Sequence, residues 1–462
     1  MKPKPFHRIA AALAVRALRW PPARRMTESL ARAHRQTRVM AAGSPVVDIP
    51  EIGPLIPRTD DSAVRRLNLL VPSVSARHVF GGIQTALLVF DVLREAFDCA
   101  RIITTDDSGA DRIAHAYYSD WPVVGLQDAP PALDHIVTAG ARSGLTLAVG
   151  ANDVFLATAW WTAHNGFDLL DWQRQVFPRP RPRRLVYLIQ DFEPGFYPWS
   201  TRYALADATY RRPESTVAII NSRYLADYMT MQGYAFPAVS VLEPRLNPEL
   251  ARVRAGLGVF GKEPVLLVYG RPGVERNAFG LLVAGLRAWV EAYPRATEWT
   301  ILSAGETFAD IDLGRGCSLR CVGKLDIAQY ADLLVRTAVG VSLMISPHPS
   351  YPPLELAAFG AQVITNRFAN KNLEATCSSI TALEALSPRA LAQAIERKTR
   401  DFDNLTAPSR LVRKDDICWH DGFLEVDRWA SSWPVEVLAG IEAKPPLSDT
   451  LAHSASRNER RA

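Results

Sequence analysis

From Arg66 onward the chain alternates short continuous apolar runs with longer stretches of helical spacing. That is the pattern of strands and helices alternating over a parallel sheet covered on both faces. The runs RLNLLVP (66–72), ARIITT (100–105), LTLAV (145–149), DVFLATA (153–159), LVYLIQ (185–190) and TVAIIN (216–221) predict the strands of one doubly wound domain. After SVLEPRLNPEL (240–250) the pattern restarts. PVLLVYG (264–270), EWTILSA (298–304), SLRCVG (318–323), VGVSLMI (339–345) and AQVITN (361–366) predict the strands of a second. No sequence repeat links the halves, so their likeness is architectural. Two open α/β domains bind ligands at the carboxyl ends of their strands, and when they face each other those ends line an interdomain cleft. The expected fold class is therefore α/β, with two Rossmann-like doubly wound domains at 63–245 and 246–415. A crossover segment at 416–446 is expected to return to the first domain, and 447–462, polar and poor in apolar residues, is expected to be a frayed tail.

Ahead of this body the spacing changes. Phe6, Ile9, Leu13 and Trp20 fall within about 60° of one another on a helical wheel, with Arg8, Arg16 and Arg19 on the adjacent face. Pro21 and Pro22 end such a helix. The apolar run IAAALAV (9–15) is far short of the roughly 20 residues that span a bilayer, and with Arg16 and Arg19 directly after it and no A-x-A site it is not expected to direct secretion. Residues 44–62, rich in Pro and turn formers, read as an extended linker, which makes 1–62 an arm plus linker.

Composition sharpens this. The 462 residues suit two to three domains, and 48% hydrophobic with 22% charged residues fits a globular chain rather than a disordered or collagen-like one. The net charge of +5 invites a nucleic-acid reading until it is located. Residues 1–40 hold ten Lys or Arg against Glu28 alone, a net +9, so the remaining 422 residues carry −4. Nucleic acid is then not the expected partner. The arm suits an anionic membrane surface, where each cation contributes on the order of 1 kcal/mol; a plain solvated helix or tail accounts for it equally. The five cysteines, odd in number and without metal-ligand spacing, fit reduced thiols in the cytoplasm.

Every chemically suggestive stretch follows a strand. VPSVSARHVFGGIQTALLVF sets Gly81 and Gly82 before a helix, where glycines admit close backbone approach and free N–H groups attract phosphate. LIQDFEPGFYPW sets Asp191 and Glu193 among Phe192, Phe196, Tyr197 and Trp199. A carboxylate in a partly apolar site has its pKa raised towards that of a working general base, and aromatic faces stack on sugar rings. ATAWWTAHNGF offers Trp160, Trp161 and His164 by the same logic. Helix capping and core packing are the competing explanations for each.

In the second half, LLVYGRPGVERN places Arg271 just past a strand, with Arg276 and Asn277 in the same loop, and SLRCVGKLD places Lys324 past another. Two cations at strand ends suit a diphosphate leaving group whose charge is met without Mg²⁺, so neither metal nor cofactor is expected. Ion pairing to nearby acids is the alternative. SPHPSYPPLELAAFG sets Tyr351 and then Glu355 near the start of a helix, where a carboxylate can accept from ribose hydroxyls. Asp310 and Asp312, an Asp-x-Asp triplet in a Gly-flanked loop, read as surface residues.

VFGGI, LIQDFEPGFYPWSTRYALADATYR, INSRYL, YGRP, VGKL and SPHPSYPPLELAAFG together resemble the WsaF-like rhamnosyltransferases from about Leu67 to Trp433, and the second half resembles the C-terminal domain of GT-B glycosyltransferases of the family 4 type. The resemblance implies the GT-B architecture and transfer of a deoxyhexose, L-rhamnose from dTDP-β-L-rhamnose, onto a growing glycan or lipid-linked glycan acceptor. It implies that Arg271, Lys324, Tyr351 and Glu355 hold the nucleotide diphosphate, that Gly81 and Gly82 approach the donor, and that Asp191 is positioned as base. One position departs from the family 4 pattern: where many members carry a Glu eight residues before the one matching Glu355, this chain has Pro347. Inversion, with Asp191 or Glu193 as base, is the expectation that follows. The implied location is cytoplasmic, peripheral at the inner face of the membrane. Another nucleotide-sugar hexosyltransferase, an epimerase, or a glycan-assembly scaffold that binds nucleotide without turnover remain open on the residues alone.

Overall fold

The computed structural model describes residues 49–74, 81–107, 118–179, 181–417, 423 and 433–442. The basic arm, the tail and Trp419 lie outside the described residues. Contacts divide the chain into Met1–Gly53, described over residues 49–53 with a 3-10 turn at Pro50–Ile52, and Pro54–Ala462, which holds both large sheets.

The first half runs β1 (Ile56–Asp60), β2 (Arg66–Val71), α1 (Gly82–Arg94), β3 (Cys99–Thr104), β4 (Val123–Val124), β5 (His135–Thr138), β6 (Thr146–Gly150), β7 (Val154–Ala157), α2 (Trp160–Val176), β8 (Leu185–Ile189), α3 (Thr201–Tyr210), β9 (Thr216–Asn221), α4 (Arg223–Met231) and β10 (Val239–Leu242). Eight strands form a parallel sheet in the order β10-β9-β8-β7-β2-β3-β5-β4. The second half runs α5 (Pro248–Gly256), β11 (Val259–Gly261), β12 (Glu263–Gly270), α6 (Phe279–Ala292), β13 (Thr300–Gly305), β14 (Ile311–Gly314), β15 (Cys317–Gly323), α7 (Ile327–Arg336), β16 (Thr337–Val341), α8 (Tyr351–Ala358), β17 (Gln362–Asn366), β18 (Ile380–Leu383), α9 (Pro388–Asp403), β19 (Leu411–Arg413) and α10 (Trp433–Gly440). Its seven-stranded sheet has the order β14-β15-β13-β12-β16-β17-β18, parallel except for the hairpin β14–β15 that carries Asp310 and Asp312 at the surface.

The two faces of each strand follow the period of two. Leu67, Leu69 and Val71 pack with Phe90 of α1 and with Trp433 and Val437 of α10, while Leu70 faces Phe167 and Leu170 of α2. In the second sheet Leu266 and Val268 meet Leu286 and Trp289 of α6, and Val265 and Leu267 meet Leu334 of α7 and Leu356 of α8. α10 returns to the first sheet, where Ser240 donates to Glu436 at 3.1 Å and the Arg184 N–H donates to the Ile441 carbonyl at 2.7 Å.

Buried charges away from the cleft are paired, as their desolvation requires. Arg66 bonds Asp153 through two nitrogens at 2.9 Å each, and Arg101 donates to Asn68 at 2.6 Å and to the Ala148 carbonyl at 2.8 Å. Lys262 sends its ammonium to the carbonyls of Leu334 (3.1 Å), Val335 (2.9 Å) and Phe359 (2.6 Å), where α7 and α8 end and their dipoles are negative. Burial lowers its pKa to about 7.

Three expectations need correction. The linker at 44–62 contains a strand: β1 pairs in parallel with β6, and its exposed edge and Pro57 hid the signal. Short strands β4, β5, β10, β14 and β18 join the sheets although they lack long apolar runs. The strand expected to reach residue 345 stops at Val341. Beyond it Met344 N–H bonds the Asn366 side chain at 2.7 Å and Ile345 N–H bonds the Arg276 carbonyl at 2.8 Å, which draws the chain off the ladder into a cleft loop.

Candidate active site in the interdomain cleft

In each sheet the strand order reverses once, between β2 and β7 and between β12 and β16, and ligands of doubly wound sheets bind at such points. The loops after these four strands carry most of the candidates. Gly81 caps α1 with φ of +49°, and among the described residues nothing lies within 4 Å of where its Cβ would be. Gly82 lacks a side chain for a different reason: the Gln190 Oε1 would stand 2.8 Å from a Cβ there.

Asp191 and Glu193 follow β8 but face different surroundings. Asp191 Oδ1 accepts from the Ser346 hydroxyl and from the Phe192 N–H (2.8 Å), and its Oδ2 lies 3.6 Å from Arg276 Nε. One carboxylate thus spans the two sheets. Glu193 turns into the core, accepting from Tyr187 at 3.0 Å beside Tyr210. Burial, with the nearby Asp191 charge adding to it, pushes its pKa up to about 8. It is protonated at neutral pH and does not face the cleft, which corrects its reading as an alternative base; a neutral Glu193 spares Asp191 a like-charge neighbour.

On the other side, the loop after β12 holds Arg271, half-buried and 3.4 Å from Glu306, which also accepts from the Gly273 N–H at 2.7 Å. The exposed Lys324 stands after β15, its pKa lowered by partial burial and then by the Arg271 charge. The two cations stand after strands of one sheet, β12 and β15, and the Arg271 charge is felt at Lys324. Glu355, on the second turn of α8, accepts from Tyr330 at 2.9 Å, and burial pushes it up to about 7. Tyr351 reaches the first sheet instead: its hydroxyl meets Thr85 at 2.9 Å and accepts from Asn221 at 3.2 Å.

The aromatic candidates separate. Trp160 is fully buried, its indole N–H on Tyr197 at 3.0 Å, and offers no face to a sugar; it packs the start of α2. Trp161 stands edge-on to it at 5.8 Å, and His164 lies 3.4 Å from Asp168 one turn along, a helix-surface pair. Phe196 carries the Arg276 guanidinium 3.8 Å above its ring. Trp199 is 92% exposed, free to stack.

Four residues that sequence reasoning left out of the site stand at its centre. Arg276, passed over for Arg271, is wedged between Asp191 and Phe196, its pKa lowered by burial. Ser346, His348 and Lys371 are buried around Asp191. Lys371 donates to the Met344 carbonyl at 2.8 Å, and burial lowers it to about 7. The one available signal was position, since all lie just past strands β12, β16 and β17.

Two family models match the chain: the N-terminal domain of WsaF over residues 66–223 and the C-terminal domain of WsaF over residues 264–396. The O-antigen biosynthesis protein RfbC of Myxococcus xanthus is 33% identical over 223 residues, which is 47% of this chain and 16% of that protein, so the chain spans a small part of that relative's length. Among solved structures, an alpha,alpha-trehalose-phosphate synthase (UDP-forming) from Burkholderia xenovorans in complex with glucose-6-phosphate matches at TM-score 0.50 and 10% identity, over 82% of this chain and 100% of that one. An E. coli structure described as trehalose-6-phosphate bound with UDP-2-fluoro glucose matches at 0.51 and 10%, over 81% and 98%. At such identities the likeness is one of fold: two Rossmann-like domains facing a cleft, the GT-B architecture.

Proposed function

Because the chain belongs to the WsaF family, we propose that it is a glycosyltransferase of polysaccharide biosynthesis that moves L-rhamnose from dTDP-β-L-rhamnose onto a growing polysaccharide or lipid-linked glycan. The observation that carries the reading is the placement of Arg271 and Lys324 past the carboxyl ends of strands of one sheet, with Asp191, past a strand of the other, drawn to the same side by Arg276. The two cations take the diphosphate and its developing charge, a task that needs no metal. Glu355 accepts from ribose hydroxyls. Asp191 receives the proton of the acceptor hydroxyl as the new bond to C1 forms and the bond from C1 to the diphosphate oxygen breaks, so a β-linked donor gives an α-linked product. Trp199 stacks on an acceptor sugar.

Acceptors of this kind sit at the cytoplasmic membrane face, and the +9 of residues 1–40 suits that surface. Deleting those residues is expected to release the protein from anionic vesicles and to leave dTDP binding intact. The function is tested by a thermal-shift screen over nucleotide diphosphate sugars in the presence of EDTA, followed by turnover and anomeric analysis of the product. A chain that binds the donor and never transfers it is a scaffold, and one that returns an altered nucleotide sugar is an epimerase.

A further inference from the structure

His348 stands between β16 and α8, two residues past Ser346, and is 6% exposed. Its Nδ1 accepts from the Ser350 N–H at 3.0 Å, which places the ring proton on Nε2. Burial lowers the imidazole to about 4, so it stays neutral at working pH. The Nε2–H is shielded from solvent and has no hydrogen-bond partner among the described residues. Buried donors are nearly always satisfied, so one held rigidly and left unspent asks for an acceptor from elsewhere.

The surroundings define that acceptor. His348 N–H bonds Ser346 Oγ at 3.0 Å, and Ser346 donates to Asp191, so the ring belongs to the loop that touches the expected base. Tyr351 lies 5.8 Å away, ring to ring. Arg276 and Lys371 bring two further donors, while Asp191 is already engaged by Ser346 and Arg276. The charged donors, Arg276 and Lys371, suffice for an anion. What a neutral N–H adds is recognition of a neutral oxygen, and a pyranose hydroxyl is such a group.

We propose that His348 reads the transferred sugar, its Nε2–H donating to a hydroxyl oxygen of the pyranose when the loop of Asp191 parts from Ser346 to admit it. This rests on the glycosyltransferase reading and adds to it a residue that separates sugar-bearing from bare nucleotide. Two substitutions divide the ring's two nitrogens. His348→Asn leaves an oxygen where Nδ1 accepts from Ser350 and removes the distal donor; His348→Gln keeps an N–H near the Nε2 position and gives up the loop contact.

The test is calorimetry on the full chain with dTDP and with dTDP-β-L-rhamnose. In His348→Asn the dTDP affinity is expected to hold within about two-fold while that for dTDP-β-L-rhamnose falls about ten-fold, the effect of one lost hydrogen bond. His348→Gln is expected to recover most of the sugar-dependent part. Equal weakening of both ligands, the reverse order of the two variants, or no change in either overturns the inference and leaves His348 as loop support. A wild-type chain that binds neither ligand overturns the glycosyltransferase reading itself, and the inference with it.

Discussion

Glu193→Gln tests the electrostatics of the site without touching the cleft. The carboxyl is enclosed by Tyr187 and Tyr210, and burial with the adjoining Asp191 raises its pKa from 4.5 to about 8. A group whose folded pKa is raised contributes stability that is complete below the unfolded value and is lost as pH climbs through the folded one. Between those limits the native state binds one proton more than the unfolded chain, and stability falls by about 1.4 kcal/mol per pH unit. From about pH 5 to about pH 7 the loss is therefore roughly 3 kcal/mol. Glutamine keeps an acceptor for the Tyr187 hydroxyl and has no proton to lose. The variant should match the wild type near pH 5 and exceed it near pH 7. Unfolding entropy of about 2.1 cal/mol/K per residue over roughly 400 residues converts the difference to about 3 °C in Tm. Scanning calorimetry of both proteins at the two pH values measures it. Parallel curves, with the same offset at both, would refute a protonated Glu193.

Asp191→Asn preserves the Ser346 contact and removes the proton acceptor; transfer should fall about 10²- to 10⁴-fold with dTDP affinity unchanged, and retained turnover would move the base elsewhere. Arg271→Ala and Lys324→Ala should each weaken dTDP about ten-fold or more by calorimetry, with a shallower salt dependence; normal affinity in both would sink the diphosphate site. Lys262→Met strands three carbonyls at the ends of α7 and α8 and should cost about 2–4 kcal/mol in chemical denaturation, leaving nucleotide affinity as it is.

The sheets were legible because their central strands are buried on both faces. RLNLLV and TVAIIN are rich in Leu, Ile and Val and buried at every position, with Arg66 and Asn68 taken up by buried polar partners, and the structure places both strands where the pattern does. β1 was not legible, since Pro57, Arg58 and Asp60 read as linker and only pairing with β6 makes them a strand. The sequence pattern put Arg271, Lys324 and Glu355 past strands, at the edge where such folds bind, and the structure has them past β12, β15 and β16. Trp160 could not be told from Trp161: one residue along a helix decides which ring the core takes, and the chain gives no local sign of it. Lys371 and His348 were invisible for the opposite reason. A lysine in a polar loop is expected in water, and only the fold shows that this one is wholly buried.

Tyr351 begins the helix that carries Glu355, and its hydroxyl rests on Thr85, one turn into the helix that begins at Gly82. A single phenol therefore joins the helix of Glu355 with the helix that starts at Gly82, which in the proposed function serve the nucleotide and the donor's far end. Whatever one ligand does to the other's affinity across that bond must be returned by the same factor, because a coupling free energy has no direction. A neutral hydrogen bond limits it to about 0.5–1.5 kcal/mol, which is about a two- to ten-fold cooperativity between the two halves of the catalytic complex.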